Sequence, residues 1–302
     1  MTARPLWLLQ RERGSRVLIQ AIARVALAWG RPAGRALLYP ICAYFLLFSG
    51  ATRRASVVYL ARVLGRAATW PERFRHYHCF ASTILDRVFL LTGRVDALKW
   101  DVKGLEILQD KLAARRGCLL FGAHFGSFDI LRVLALAESP VRVRVLMHAS
   151  NAEKLAGVLH ALNAELPSQV IVLGRPTTML EVRDALAAGE IVGLLADRAV
   201  HGDRVVACDF LGTAAGIPAG PFELAALLQV PVVVFTGVYA GNAKYRVRFE
   251  AFADRIELPA GQRADALQEH CQRFAAWLEK RCRAAPYNWF NFYDFWATAR
   301  KR

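Results

Sequence analysis

The stretch Gly117-Cys-Leu-Leu-Phe-Gly-Ala-His124-Phe-Gly126-Ser127-Phe-Asp129-Ile-Leu131 decides how this chain is read. Its first half is short and apolar and is entered through the basic Arg115-Arg116-Gly117 turn, a pattern that fits a buried strand. Its second half, Ser127 to Ala137, spaces Phe128, Leu131, Leu134 and Ala135 as one face of a helix. At the junction stand His124 and Asp129. In one continuous helix a spacing of five turns the two side chains about 140° apart. They meet only if His124 sits on the turn, Gly126 allows the bend and Asp129 lies in the first helical turn. A carboxylate on one ring nitrogen then fixes the tautomer and leaves the other nitrogen as a base near neutral pH. The plainer alternative is a histidine that closes a turn and an aspartate favoured by a helix N-terminus. An isolated H-x4-D does not decide between them.

Outward from this unit, short strands alternate with helices, the signature of an α/β layer fold. Strands are expected near 117–123, 141–146, 169–173, 190–195 and 230–238, with helices near 104–115, 127–137, 151–164, 177–188 and 219–229. The alternating run from Lys244 to Ala251 suits a half-exposed antiparallel strand, and a last helix is expected over about Ala264 to Arg283. The implied body is a mixed, mostly parallel sheet flanked by helices. Polar residues gather where strands end. Arg175, in Gly174-Arg175-Pro176, stands where a phosphate or carboxylate is received, and Asp197-Arg198 close another strand. Asp209 to Phe222 reads as a Gly/Pro-rich crossing segment. Singly, each suits a loop cap or surface ion pair; together they lie at the carboxyl ends of strands, where such folds bind ligands.

The N-terminal part differs. Of the chain's net charge of +15, residues 1–75 carry +11, from thirteen arginines, no lysine and two acids. These arginines are interleaved with Trp7, Trp29, Tyr39, Tyr44 and Phe45 and with apolar runs at Ser15–Trp29 and Ala36–Phe48, separated by Arg31-Pro32-Ala33-Gly34. Both runs are shorter than the ~20 residues a spanning helix needs, so two helices lying in or dipping into a lipid interface are expected, with one tilted or distorted membrane-embedded helix as the alternative. A nucleic-acid partner is disfavoured, because no zinc-finger, helix-turn-helix or RNP signature accompanies the charge. Residues 52–92 read as helical, starting again at Trp70-Pro71-Glu72, with His76 and His78 as filler. The division is a basic helical membrane-association module over 1–95 and an α/β domain over 96–302. Six cysteines without a CxxC pair suggest neither a zinc site nor a disulfide scaffold and fit a reducing compartment.

Taken in order, these blocks resemble the lysophospholipid acyltransferase superfamily, and most closely its branch of late (lauroyl/myristoyl) acyltransferases of bacterial lipid A biosynthesis. The resemblance covers about 105–295 and rests on the strand-His124-x4-Asp129-helix unit, Gly174-Arg175, the helix Thr177–Ala188, Asp197-Arg198, Asp209-Phe-Leu-Gly212 with Ala214-Ala215, and Phe222-Glu-Leu-Ala-Ala226. Two positions depart from the branch, which commonly has Glu at Asp129 and Asp-Gln at Asp197-Arg198. The aromatic tail Trp289, Phe290, Phe292, Tyr293, Phe295 and Trp296 also replaces a more basic ending, either as core packing or as an aromatic rim at a membrane.

The resemblance implies a glycerol-phosphate-acyltransferase-like fold and an acyltransferase in which His124, oriented by Asp129, is the general base. Arg175, Asp197 and Arg198, by their placement at strand ends, are candidates for acceptor or donor phosphate contacts, and with Gly126 and Ser127 of the first block they make up the candidate substrate-binding residues. Ser127 lacks the G-x-S-x-G frame of a nucleophile and reads as a helix N-terminal residue. The donor implied is an acyl carrier protein or coenzyme A thioester, with no metal or redox cofactor. The acceptor implied is a hydroxyl or amine of a membrane lipid or glycolipid, at the cytoplasmic face of the inner membrane. A non-lipid-A acceptor such as an aminolipid or polyene lipid, or a non-catalytic lipid-binding protein of the same fold, are the alternatives.

Overall fold

In a computed structural model, residues 16–113, 117–131, 142–148, 170–199 and 203–298 are described. The expected helix over 151–164 and most of the one over 127–137 lie outside them. Among the described residues the first elements are four helices: α1 (Arg16–Trp29), α2 (Arg31–Phe48), α3 (Gly50–Leu64) and α4 (Trp70–Leu91). The break between α1 and α2 falls at Gly30, not over Arg31–Gly34 as expected. Gly30 takes φ 86°, and Pro32 enters the first turn of α2, where its missing N–H costs nothing. Helix α4 starts where the sequence indicates, because Thr69 and Glu72 form a capping box.

The body contains β1 (Lys99–Lys103), α5 (Leu105–Ala113), β2 (Cys118–Gly122), β3 (Val143–His148), β4 (Val170–Leu173), α6 (Thr178–Ala187) and β5 (Ile191–Leu195). There follow β6 (Val205–Phe210), β7 (Thr213–Pro218), α7 (Gly220–Leu228), β8 (Val232–Tyr239), β9 (Lys244–Ala253) and α8 (Arg263–Ala284). Among the described residues seven strands form one sheet in the order β1-β9-β8-β2-β5-β3-β4, with every pair parallel except β8–β9. The crossing segment expected at Asp209–Phe222 is instead largely the antiparallel hairpin β6–β7. Leu211 and Gly212, both at positive φ, make its two-residue turn. Strand β1 was not foreseen, because a five-residue strand with charged ends carries little apolar signal.

Strands β2 and β8 are buried on both faces, as the interior of a parallel sheet requires. Leu119 and Phe121 face one core, with α3, α7 and α8, while Cys118 and Leu120 face another. Residues on both sides of the 95/96 boundary share these cores, Tyr59 and Leu60 of α3 among them. A buried polar clamp also ties the helices to the sheet. Arg31 bonds Asp86 through Nε at 2.6 Å and Nη2 at 2.9 Å, and Tyr245 of β9 donates to the same carboxylate at 2.7 Å. All six cysteines are free and buried. Among the described residues no single helix is long and apolar enough to cross a membrane. Only α2 and α3 together reach that composition, and they are bent by 94°.

Candidate active site

Strand β2 lies at the centre of the sheet, beside β5, with Gly122 opposite Leu195. Two residues beyond each partner come His124 and Asp197, so parallel register carries the two side chains to one place at the carboxyl edge. His124 Nδ1 lies 2.8 Å from Asp197 Oδ1, and the His124 backbone N–H donates to Oδ2 at 3.1 Å. The indole N–H of Trp289 donates to Oδ2 as well, at 3.1 Å. Three donors thus converge on a carboxylate that is 0% exposed.

This corrects the pairing expected from the H-x4-D spacing. Asp129 does not reach His124; it forms an ion pair with Arg87 Nε of α4 at 3.0 Å. The helix after the turn begins only at Ile130, so Asp129 lies before it and is directed to α4. The position beside His124 is taken by Asp197, which its strand-end placement marks in the sequence as a substrate-binding candidate.

The turn is held by backbone bonds to distant segments. Gly126 N–H donates to Asn288 O at 2.8 Å, Ser127 N–H to Gly237 O at 2.8 Å, and Phe290 N–H to His124 O at 2.7 Å. Gly126 has φ +70°, and a Cβ there would stand 2.0 Å from Gly237 O, so no side chain fits. Ser127 is buried and bonds through its backbone. Asn288 is fixed in turn, accepting the N–H of Tyr239 at 2.8 Å and donating to its carbonyl at 3.2 Å.

Electrostatics assign the protons. Burial opposes ionisation of Asp197, but the adjacent His124 and its hydrogen bonds outweigh that, and the carboxyl falls to about 2. An ionised carboxylate only accepts, so Nδ1 carries the proton and Nε2 has the free lone pair. Burial and the Arg198 charge lower the pKa of His124 below its ordinary value, against the opposing pull of Asp197. His124 is therefore a neutral base at pH 7, with its side chain 29% exposed.

Arg198 braces the site. Its Nη2 donates to Phe290 O at 2.6 Å, and its guanidinium lies 5.3 Å from the Tyr293 ring centroid. Arg175 is not brought there; it is exposed on the turn after β4, the edge strand three places from β2, where its N–H donates to Thr178 Oγ1. The aromatic tail packs mainly as core: Trp289, Phe290, Phe295 and Trp296 are buried. Sequence reasoning missed Trp289, Asn288 and Gly237 as parts of the site. The available signal was a buried tryptophan whose N–H needs an acceptor. His76 proves a buried brace between Ser56 Oγ and Trp289 O, each 2.8 Å away. Among the described residues no three His, Cys, Asp or Glu side chains gather as a metal site.

A base with a fixed tautomer on a strand-end turn is equipped to take a proton from a bound hydroxyl or amine. The family model described as bacterial lipid A biosynthesis acyltransferase matches residues 73–298, from α4 through the C-terminal tail, and so includes His124, Asp129 and Asp197. A comparison with curated proteins gives no match.

Proposed function

The chain belongs to the bacterial lipid A biosynthesis acyltransferase family, and from that footing we propose that it moves a fatty-acyl group from a thioester to a hydroxyl or amine of a membrane lipid or glycolipid, with His124 as general base and Asp197 as the residue that positions it. The observation that carries this reading is the His124 Nδ1–Asp197 Oδ1 contact of 2.8 Å, which leaves Nε2 free. Nε2 takes the acceptor's proton as its oxygen or nitrogen attacks the thioester carbonyl. The C–S bond then breaks, and the thiolate leaving group takes up the proton from the imidazolium. An ester or amide and a free thiol result, with no acyl-enzyme intermediate.

The donor is an acyl carrier protein or coenzyme A thioester. Beside the site, α4 presents the exposed Phe80 and Ile84, with Phe80 5.2 Å from Phe290 in ring centroids, an apolar border suited to an acyl chain. Trp29 at 77% exposed, with Tyr44, Leu47 and Phe48 of α2, suits contact with the cytoplasmic leaflet of the inner membrane. Arg175, at the far edge, suits a contact to a remote acidic group of donor or acceptor.

The test is transfer assayed by mass spectrometry of lipid products, with acyl carrier protein and coenzyme A donors compared. His124→Ala is expected to lower kcat by about 10²–10⁴-fold with the fold intact by circular dichroism. Undiminished transfer by a folded His124→Ala protein rejects the general-base assignment.

A further inference from the structure

A second cleft, of about 600 Å³, opens between α2, α4, the β8–β9 turn and the segment after α8. It does not include His124 or Asp197; Asn288, whose carbonyl holds Gly126, forms part of its wall. Arg35 of α2, Arg75 of α4 and Arg246 of β9 line it together with His78, and among the described residues no Asp or Glu does. Among the described residues none of these three arginines forms a salt bridge. Arg35 Nη1 donates to the neutral Asn242 Oδ1 at 3.1 Å, while its Nε is buried without a partner. The Arg75 guanidinium lies 4.7 Å from the Tyr287 ring centroid. His78 is 8% exposed, and its Nε2 has no hydrogen-bond partner.

Three arginines from three separate elements thus line one cleft with no carboxylate among its described walls, a surplus of positive charge that an anion entering the cleft offsets. Guanidinium pairs best with oxyanions that accept two parallel bonds. Tyr39 and Phe74 supply apolar wall on one side, their centroids 4.8 Å and 5.9 Å from His78. We propose that this cleft binds the phosphate group of an anionic amphiphile, with Arg35, Arg75 and Arg246 on the phosphate oxygens and Tyr39 and Phe74 against the organic remainder. The volume suits a headgroup and not whole acyl chains.

The full chain in a neutral detergent is titrated calorimetrically with dihexanoyl phosphatidic acid, with dihexanoylglycerol as the phosphate-free control. One saturable site is expected, with no binding of the control. Arg75→Ala/Arg246→Ala should bind about tenfold or more weakly, while His124→Ala binds as the parent does. Both arginines are exposed, and an unchanged thermal melt verifies the fold of the double variant. Arg75→Lys/Arg246→Lys recovers part of the affinity. Displacement by inorganic phosphate assigns the affinity to the phosphate group alone, and failure to displace assigns it to the amphiphile as a whole; both uphold phosphate recognition. Absence of binding, equal binding by parent and double variant, or equal binding of dihexanoylglycerol overturns the proposal.

Discussion

At the scale of single residues, the proton inventory of His124 governs how the site responds to pH. Its pKa lies below the ordinary histidine value of about 6.5, so the base is neutral throughout the physiological range. The acid limb of a kcat/KM profile should fall below that value. Removing the neighbouring positive charge in Arg198→Gln should move the limb to higher pH, because a cation next to an imidazole disfavours its protonation. A limb that stays in place in that variant contradicts the electrostatic assignment. Asp197→Asn should lower kcat by roughly 10²-fold or more and alter the limb, whereas Asp129→Asn should leave the limb where it is, since Asp129 faces Arg87. His124 was legible in the sequence as the polar residue ending an apolar strand. Its partner was misread because spacing along the chain is visible in a sequence, whereas register between β2 and β5, whose paired residues lie 73 apart, is not.

At the scale of elements, β2, β5 and β8 were legible because strands buried on both faces must be short, continuous apolar runs. The β6–β7 hairpin was not, since Gly212, Gly216 and Pro218 signal a loop equally well. The turn after β2 was expected to need a glycine, but the reason became clear only with β8 in place. Gly126 and Gly237 bring two backbones together without side chains between them. Gly126→Ala should therefore cost about 2 kcal/mol or more of stability, read as a lower melting temperature with transfer lost in parallel. An alanine variant with an unchanged melt would show that the turn can relax around a Cβ.

At the scale of the whole molecule, the charge bias of the first 75 residues was plain, yet one of its arginines faces inward. Arg31 spans from α2 to Asp86 of α4, and Asp86 in turn accepts from Tyr245 of the sheet. Composition shows how much charge a segment carries, but pairing in the interior depends on packing between elements. Asp86→Ala strands a buried guanidinium and should destabilise the fold by about 3–5 kcal/mol. Removing both partners in Arg31→Ala/Asp86→Ala should cost less than the two single changes summed, and simple additivity in denaturant titrations would refute the clamp. The exposed Trp29, Tyr44, Leu47 and Phe48 should carry the chain down with anionic liposomes, and Phe48→Ser with Trp29→Ser should reduce that co-sedimentation. The indole of Trp289 has a consequence of another kind. A chain made from its N-terminus has His124 and Asp197 in hand well before residue 289 is translated, so the carboxylate first emerges with one of its three donors missing. Synthesis order thereby delays completion of the site until the aromatic tail has docked.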